Sequence, residues 1–384
     1  MQSARAKCRC GGCTAMRDPI GVYVHVPFCA GKCPYCDFYS LSADEPTKEA
    51  YVKAVLREVA PYQGAVCADT LYFGGGTPSL LGASRVERLT GALKAAFSIP
   101  DDGEVTMEAN PGDELSAVFS AFKRAGGNRV SIGVQATDDA TLRLLGRRHT
   151  VADAAQAVAI AHDCGIRNVS VDLMLGVPGQ TTEAVTAAVS TVAAWGVTHV
   201  SAYLLKIEPG TPFADRDLAL PDEDATADLY LTAVKALRQA GFLQYEISNF
   251  AKPGYESRHN LKYWNAAEYL GFGPAAHSYF GGKRTCFCRD VAGFLAGTLL
   301  PQDEEADDTP FPAGSREEYA LLRLRLAEGL TEAGYRKTFG EPIPQEWKAR
   351  ANALPRSLVT ADEDGIRLSP EGFLVSNGIF TAIL

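Results

Sequence analysis

The stretch YVHVPFCAGKCPYC, residues 23–36, decides the fold of this chain. Its first half is rich in β-branched and aromatic residues and predicts a buried strand that runs into a cysteine. Its second half places three thiols, those of Cys29, Cys33 and Cys36, in one short loop. A tetrahedral zinc site needs four protein ligands, and no fourth Cys or His follows at zinc-finger spacing. Three cysteines on a four-iron cluster, in contrast, leave one iron open to an exchangeable ligand. The spacing therefore favours an iron–sulfur cluster, with a zinc knuckle completed by a distant residue as the alternative.

Outward from this stretch, strand-like runs alternate with segments that carry apolar residues at helical spacing. The predicted strands are Gly21–Val26, Thr70–Phe73, Glu104–Ala109, Arg129–Val134, Val169–Leu175 and His199–Leu205. The predicted helices are Glu45–Tyr62, Ala83–Phe97, Asp113–Ala125, Asp138–Cys164, Thr181–Trp195 and Asp222–Ala240. Alternating strands and helices predict a parallel sheet with helical crossovers. Periodicity alone leaves two architectures open, a doubly wound sheet and an open part of a (β/α) barrel.

Polar residues and glycines follow the predicted strands where each strand ends. The second strand runs into the glycine-rich segment 74–78, the third ends near Glu108, the fourth at Gln135, and the fifth carries Asp172. In parallel α/β folds, function gathers at the carboxyl ends of the strands. The sequence therefore predicts a binding site at this edge, next to the cysteine loop.

Composition and charge narrow the class of protein. The chain has 384 residues, of which 46% are hydrophobic and 22% charged, as in ordinary globular proteins. With 37 basic and 46 acidic residues the net charge is −9, which disfavours nucleic acid as a partner. Neither a membrane-spanning apolar run nor an apolar signal-peptide core is present, so we expect a cytoplasmic protein without an integral membrane span. In a reducing compartment, clustered cysteines are typical of metal or cluster ligands.

Composition also divides the chain into segments. They are a Cys-containing N-terminal tail (1–18), the βα region (19–241), an aromatic and Gly-rich extension (242–300), an acidic linker (301–314) and a C-terminal module (315–384). The module should begin with an amphipathic helix, Ser315–Glu328, opened by a capping box of Ser315 and Glu318. Two more short helices and a hairpin around residues 364–365 predict a small α+β, winged-helix-like module.

The thiols outside the main loop leave one question open. The tail carries Cys8, Cys10 and Cys13, and the extension carries Cys286 and Cys288. Together they have the chemistry of a second metal site, but the tail is also compatible with a disordered segment. The sequence does not decide between these readings.

The motif Cys-x3-Cys-x2-Cys after a first strand resembles that of radical S-adenosylmethionine (SAM) proteins. The resemblance extends to the coproporphyrinogen III dehydrogenase-like (HemN/HemW) branch of that family. The matching segments are YVHVPFC (23–29), GGGTP (74–78), IGVQ (132–135) and DLMLGVP (172–178), and the match runs over roughly residues 20–290 with a similar C-terminal module. It implies a partial (β/α)6 barrel that holds a [4Fe-4S] cluster on Cys29, Cys33 and Cys36, with SAM bound at the open iron.

The resemblance also implies residue roles around SAM. Gly75, Gly76 and Thr77 would offer backbone N–H groups and little bulk to the methionine moiety. Glu108 would bind a ribose hydroxyl or the ammonium group, and Arg147 would pair with a carboxylate. Gln135 and Asp172 match residues that hydrogen-bond the nucleoside. Tyr23 and Tyr35 match residues that approach the cluster or the adenine. The alternative for each is a structural polar residue.

Two departures separate the chain from the dehydrogenase type. That type has a further cysteine two residues after the third ligand, where this chain has Phe38, and a longer N-terminal extension than the 28 residues that precede Cys29 here. Both departures favour the haem-chaperone side of the branch. The segment His259-Asn-Leu-Lys-Tyr263-Trp264 matches the His-Asn-x-x-Tyr-Trp motif associated there with haem binding.

That motif suggests how haem would be held. The imidazole of His259 is a competent axial ligand, and Tyr263 and Trp264 could bury the macrocycle. An ordinary polar histidine beside core aromatics is the alternative, and His277 is the second candidate ligand.

The resulting expectation is a haem chaperone with a cluster, SAM and haem, an unidentified haem-acceptor protein and an electron donor to the cluster. On this reading the chain is not an enzyme. The alternative is an oxygen-independent coproporphyrinogen III dehydrogenase, which carries out SAM-dependent oxidative decarboxylation in haem biosynthesis. A radical SAM enzyme with some other substrate remains a third reading, because fold does not fix function.

Overall fold

The computed structural model of the chain describes residues 18–112, 114–303 and 311–384. The N-terminal tail with Cys8, Cys10 and Cys13, and the central half of the acidic linker (304–310), lie outside the described residues, so the predictions made for them remain untested. Among the described residues, no helix combines the length and the apolar composition that crossing a membrane requires.

Six parallel strands form the centre of a twelve-stranded sheet. They are β1 (Ile20–Val26), β2 (Ala68–Gly75), β3 (Glu104–Ala109), β4 (Arg129–Gln135), β5 (Asn168–Leu175) and β6 (His199–Leu204). Each strand pairs with the next one along the chain. All six predicted strands are confirmed, and their bounds differ from the predicted ones by a few residues at most.

Six helices connect these strands and a seventh follows β6, and their arrangement decides between the two architectures that the sequence left open. They are α1 (Glu45–Val59), α2 (Ala83–Ala96), α3 (Leu115–Arg124), α4 (Asp139–Leu144), α5 (Val151–Asp163), α6 (Thr182–Ala194) and α7 (Glu223–Gln239). Helices that follow one another in the chain pack side by side, as α1 does with α2 and α2 with α3. A doubly wound sheet would reverse its strand order and cover both faces with helices. The sequential order and the single helical layer are those of a partial (β/α)6 barrel.

One predicted helix is wrong. The sequence predicted a continuous helix over Asp138–Cys164, whereas the structure has α4 and α5 separated by residues 145–150. Gly146 has a φ of 68°, which ends α4, and Thr150 begins α5 with a capping box closed by Asp153. The connecting segment brings Arg147 into the site described below.

The extension 242–300 widens the sheet at both edges, which the sequence did not predict. Its elements are β7 (Leu243–Gln244), β8 (Asn249–Ala251), α8 (Arg258–Trp264), β9 (Tyr269–Phe272), β10 (His277–Phe280), β11 (Lys283–Cys286) and α9 (Val291–Ala296), followed by β12 (Gln302–Asp303). Strand β9 lies parallel to β1 on its free side, and β8 lies antiparallel to β6. The first and last barrel strands therefore both gain a second neighbour.

The C-terminal module is a small α+β unit, as predicted. It contains α10 (Arg316–Arg323), β13 (Leu330–Thr331), α11 (Glu332–Phe339), α12 (Gln345–Ala353), β14 (Val359–Ala361), β15 (Gly365–Leu368), α13 (Pro370–Leu374) and α14 (Ser376–Ile383). The order helix, strand, two helices and a hairpin resembles that of a winged helix.

The first helix of the module differs from its prediction in two ways. It ends at Arg323 rather than at residue 328, and its capping box is not closed. Ser315 does accept the Glu318 N–H, but the Glu318 carboxylate accepts the Gly314 N–H and the side chain of Arg284 instead of the N–H of the cap residue.

Candidate functional site

A cavity of about 740 Å³ lies inside the barrel and extends from the carboxyl ends of the strands down to Arg129 and His199. Its wall includes the three predicted cluster ligands and every predicted SAM contact except Tyr23. The structure therefore brings these predicted site residues together around one cavity. The roles of the individual side chains differ from expectation in several cases.

The three thiols lie on the loop that leaves β1, at the cavity wall. The loop is held at both ends, because Cys29 N–H donates to the Leu41 carbonyl at 3.0 Å and Cys36 N–H to the Cys33 carbonyl at 3.1 Å. All three thiols are partly exposed and unbridged. Within the described ranges, no three His, Cys, Asp or Glu side chains converge on one metal ion. A cubane takes each thiolate at a separate iron corner, so the donor set suits a polynuclear cluster rather than a single ion.

The glycine-rich turn after β2 packs against this loop. A methyl group on Gly76 would lie 2.6 Å from the Phe28 carbonyl oxygen, so only glycine fits there. The N–H groups of the turn all donate within the protein: Gly75 to Glu108 (3.1 Å), Gly76 to the Val26 carbonyl (2.8 Å) and Thr77 to the Phe28 carbonyl (2.7 Å). In this conformation all three N–H groups have protein acceptors, and their donation to SAM stays a prediction. The turn positions the cysteine loop.

A chain of hydrogen bonds runs between two of the thiols. The Thr77 hydroxyl lies 3.5 Å from Cys29 Sγ, and Asn110 Nδ2 donates to that hydroxyl at 2.8 Å. Arg147 donates to Asn110 Oδ1, to the Gly133 carbonyl at 2.6 Å, and to Cys33 Sγ at 3.5 Å. The predicted partner of Arg147 was a ligand carboxylate. Its two Nη groups already have protein partners, whereas its buried Nε has no hydrogen-bond partner among the described residues.

Two carboxylates face the cavity from β3 and β5, the strands on either side of β4. Glu108 accepts the Tyr72 hydroxyl at 2.8 Å as well as the Gly75 N–H, and burial raises its pKa to about 7. Asp172 accepts the Ser131 hydroxyl at 3.3 Å, and burial raises its pKa to about 6. Both groups keep acceptor oxygens that suit the hydroxyls of a ribose.

Gln135 ends β4 in a strained conformation. Its φ is 69°, in the left-handed region that disfavours residues with a side chain, and the pairing of β4 with β5 is irregular between Ile132 and Gln135. Bulges and strained residues are concentrated next to functional sites, where they redirect a side chain. The irregularity places Gln135 on the cavity wall.

The two predicted tyrosines have different surroundings. Tyr35 lines the cavity beside the cysteine loop and packs against Phe213, with 6.1 Å between ring centroids. Tyr23 does not reach the cavity, because its hydroxyl bonds to His25 Nδ1 at 3.1 Å and its ring lies near Tyr72. The prediction that Tyr23 contacts SAM is not supported by this placement.

His259, the predicted haem ligand, is not accessible in this structure. His259 is the second residue of α8, and it is 1% exposed. Its Nδ1 bonds to Thr70 Oγ1 and its Nε2 to the Tyr263 hydroxyl, both at 2.8 Å, and its ring stacks on Tyr72. Burial lowers the pKa of the imidazole to about 3. Haem ligation through one ring nitrogen would require the hydrogen bond at that nitrogen to break and the buried ring to become accessible.

The other residues predicted to bind haem are only partly available. Tyr263 is occupied by His259, while Trp264 is half-buried with Arg325 over its ring at 5.9 Å. His277 is exposed at the start of β10, opposite Cys286 in the hairpin. Neither histidine lines the cavity, whereas Asn260, within the same motif, does.

Several cavity residues were missed by the sequence reasoning. On β4 these residues are Arg129 and Ser131, which together with Gly133 and Gln135 occupy every second position of the strand. The other strands add Tyr72, His199, Ser201 and Tyr203. Period-two alternation along each strand could have found them. Asn110 was also missed, although it stands two residues after Glu108 at the end of β3.

Comparisons with known proteins identify the family of the chain. The sequence profile of the Radical SAM superfamily matches residues 23–192. The chain is 39% identical over 323 residues to the haem chaperone HemW of Escherichia coli K12, covering 81% of this chain and 83% of that one. It is 38% identical over 385 residues to HemW of Mycobacterium tuberculosis H37Rv, covering 96% and 95%. It is also 36% identical to the mouse mitochondrial radical S-adenosyl methionine domain-containing protein 1, covering 94% and 87%.

Among solved structures, the chain is similar to the coproporphyrinogen III oxidase HemN of Escherichia coli, a radical SAM enzyme. The TM-score is 0.77 at 21% identity, and the match covers 95% of this chain and 90% of that one. At this level of identity the likeness establishes a shared fold.

Proposed function

The chain belongs to the HemW family of radical SAM proteins, and from that membership we propose that it is a haem chaperone. The observation that carries the proposal is the match to relatives named as haem chaperones, which extends over most of both chains. In this proposal the protein binds haem and transfers it to an acceptor protein. It does not convert a porphyrinogen substrate.

Membership of the family implies a [4Fe-4S] cluster and SAM, and the residues at the cavity fit both groups. Cys29, Cys33 and Cys36 would hold the cluster, which supplies one-electron chemistry when it is bound. SAM would lie in the cavity beside it, with Glu108 and Asp172 as acceptors for its hydroxyls. The proposal includes an electron donor that reaches the cluster from outside.

One surface feature supports the chaperone over the dehydrogenase. Phe38 occupies the position of the extra cysteine, and its side chain is 66% exposed beside the cavity mouth. An exposed aromatic side chain beside the cavity mouth is suited to contact with a flat apolar ligand or a partner protein. A cysteine in this place would offer neither.

The haem ligand remains a prediction for two histidines. His259 would have to release Thr70 or Tyr263 and leave its buried position before one of its ring nitrogens could reach iron. His277, the second candidate, is exposed at the start of β10. Replacing each by Ala and recording the Soret spectrum during a haem titration separates the two, because only loss of the true ligand changes the spin state of the bound haem.

The chaperone proposal is tested on the anaerobically reconstituted protein. We expect it to bind haem, to pass haem to apomyoglobin as a surrogate acceptor, and to leave coproporphyrinogen III unchanged in the presence of SAM and dithionite. The Cys29/Cys33/Cys36→Ala variant, assayed alongside, reports which of these properties need the cluster. Formation of protoporphyrinogen IX at enzymatic turnover, or failure to bind haem, would contradict the proposal.

A further inference from the structure

Asn110 lies at the centre of the hydrogen-bonded chain between two cluster thiols, although no prediction assigned it a role. One side of its amide bonds to Thr77, whose hydroxyl reaches Cys29 Sγ at 3.5 Å. The other side bonds to Arg147, which reaches Cys33 Sγ at 3.5 Å. Both cysteines thus have an outer hydrogen-bonding partner, and a single side chain joins the two partners.

The chemistry of the chain fixes the direction of each hydrogen bond. Arginine only donates, so the Asn110 atom that faces Arg147 is Oδ1 and the atom that faces Thr77 is Nδ2. The Thr77 oxygen therefore accepts from Asn110, which leaves its single proton available elsewhere. An iron-bound Cys29 is a thiolate without a proton, so the Thr77 hydroxyl must be the donor to its sulfur.

The surrounding backbone holds Asn110 in this orientation. It directly follows Ala109, the last residue of β3, which pairs with Ile132 of β4. A methyl group on Gly133 would lie 2.7 Å from Asn110 Oδ1 and 3.1 Å from Arg147 Nη2, so the glycine leaves room for both groups. Asn110, Gly133 and Arg147 come from three separate elements and meet only in the folded barrel.

We propose that Asn110 is a positioning residue that raises the reduction potential of the cluster, by directing the Thr77 hydroxyl to Cys29 and by holding Arg147 against Cys33. Hydrogen bonds and positive charge at the sulfurs stabilise the reduced, more negative cluster. The inference rests on the cluster that family membership implies, and it does not depend on haem transfer.

Asn110→Asp is the informative variant because it keeps the shape and removes the donor. An aspartate accepts from both sides, so the Thr77 hydroxyl turns from Cys29 towards the new carboxylate. We expect the midpoint potential of the cluster, measured by an anaerobic redox titration followed by EPR, to fall. The expected shift is about tenfold in the ratio of reduced to oxidised cluster, which is about 59 mV for one electron.

Two further variants separate the effect of redirecting the Thr77 hydrogen bond from the effect of the added negative charge. Asn260→Asp adds the same charge to the same cavity, at a side chain with no hydrogen bond to Thr77, Arg147 or a cysteine among the described residues, and should shift the potential much less. Thr77→Val removes the hydroxyl outright and should lower the potential without any added charge. In a Thr77→Val background, Asn110→Asp should have a smaller effect than in the wild type, because the two act on one bond.

Iron and sulfide content are measured first in every variant. Wild-type protein that fails to take up a cluster would refute the cofactor assignment itself. With the cluster present, an Asn110→Asp shift no larger than that of Asn260→Asp would refute the proposal, as would full additivity with Thr77→Val. If Asn110→Asp does not load a cluster, an unchanged potential in Thr77→Val overturns the proposal on its own.

Discussion

His259 is buried between Thr70 and Tyr263, and this makes the residue a source of acid sensitivity. In the folded protein its imidazole stays neutral, because burial lowers its pKa to about 3 from an ordinary value of 6.5. In the unfolded chain the imidazole takes up a proton below about pH 6.5. The stability that the neutral residue contributes is therefore complete above that pH and is lost as the pH falls.

We predict that His259→Gln removes this part of the pH dependence. Between pH 7 and pH 5, the free energy of unfolding of the wild type should fall by about 2 kcal/mol relative to the variant. Urea unfolding of the apoprotein at both pH values measures the difference. The other buried histidines are present in both proteins and cancel. Parallel pH profiles would show that His259 is as readily protonated when folded as when unfolded.

For single residues, the sequence indicated which residues belong to the candidate site better than it indicated which side chains they contact. Cys29, Cys33 and Cys36 were identified because their spacing is local and their chemistry has few alternatives. The bonds of Arg147 were not, because its partners Asn110 and Gly133 come from β3 and β4, and only the assembled barrel brings them together. The same holds for His259, whose partner Thr70 is distant in sequence.

Among the elements, the turn after β2 and the cysteine loop depend on each other through backbone contact. The methyl group of an alanine at position 76 would collide with the Phe28 carbonyl, which belongs to the main chain and cannot rotate away. The residue that follows Phe28 is Cys29, the first of the three predicted cluster ligands.

Gly76→Ala should therefore displace the cysteine loop. We expect a loss of about 1–3 kcal/mol in the free energy of unfolding, and less iron retained after anaerobic gel filtration. Gly91→Ala is the matched control, since Gly91 lies inside α2 with open space around its Cα. It should be neutral or stabilising by about 0.5–1 kcal/mol. Equal iron content in the two variants would contradict the coupling of turn and loop.

The accuracy of the predicted elements follows from how local their signals are. The barrel strands and most helices were predicted because each carries its own periodicity. The break between α4 and α5 had local signals too, in Gly146 and in the capping box of Thr150 and Asp153, but apolar periodicity continued across it. The short strands β7–β12 carry two to four residues each, which is too few for any period to be read.

On the scale of the whole molecule, a buried ion pair joins the C-terminal module to the widened sheet. Glu318 of α10 accepts two hydrogen bonds from Arg284 of β11, at 2.8 and 3.0 Å, and its side chain is 6% exposed. Backbone hydrogen bonds reinforce the junction: Ala327 N–H donates to the Tyr245 carbonyl, and Ile247 N–H to the Arg325 carbonyl.

Glu318→Ala should loosen this junction, because it leaves the charge of Arg284 without its carboxylate in a partly desolvated place. We expect about 3 kcal/mol of destabilisation, with faster amide exchange in residues 315–384. Arg316→Ala, which breaks an exposed pair with Glu341, should change stability by less than about 1 kcal/mol. Exchange that is unchanged in Glu318→Ala would show that the backbone contacts alone hold the module.

The two neighbours of β1 come from distant parts of the chain, β2 on one side and β9 on the other. A ribosome that adds about 5–20 residues per second needs about 12–50 s to proceed from Val26 to Phe272. For that whole interval β1, which leads into the loop that carries Cys29, has one of its edges uncovered, and Arg147 joins the thiols only part-way through. The nascent chain therefore exposes its three cysteines before all the residues that surround them have been synthesised. Iron delivered during translation meets exposed thiols, whereas iron delivered after release meets the complete site.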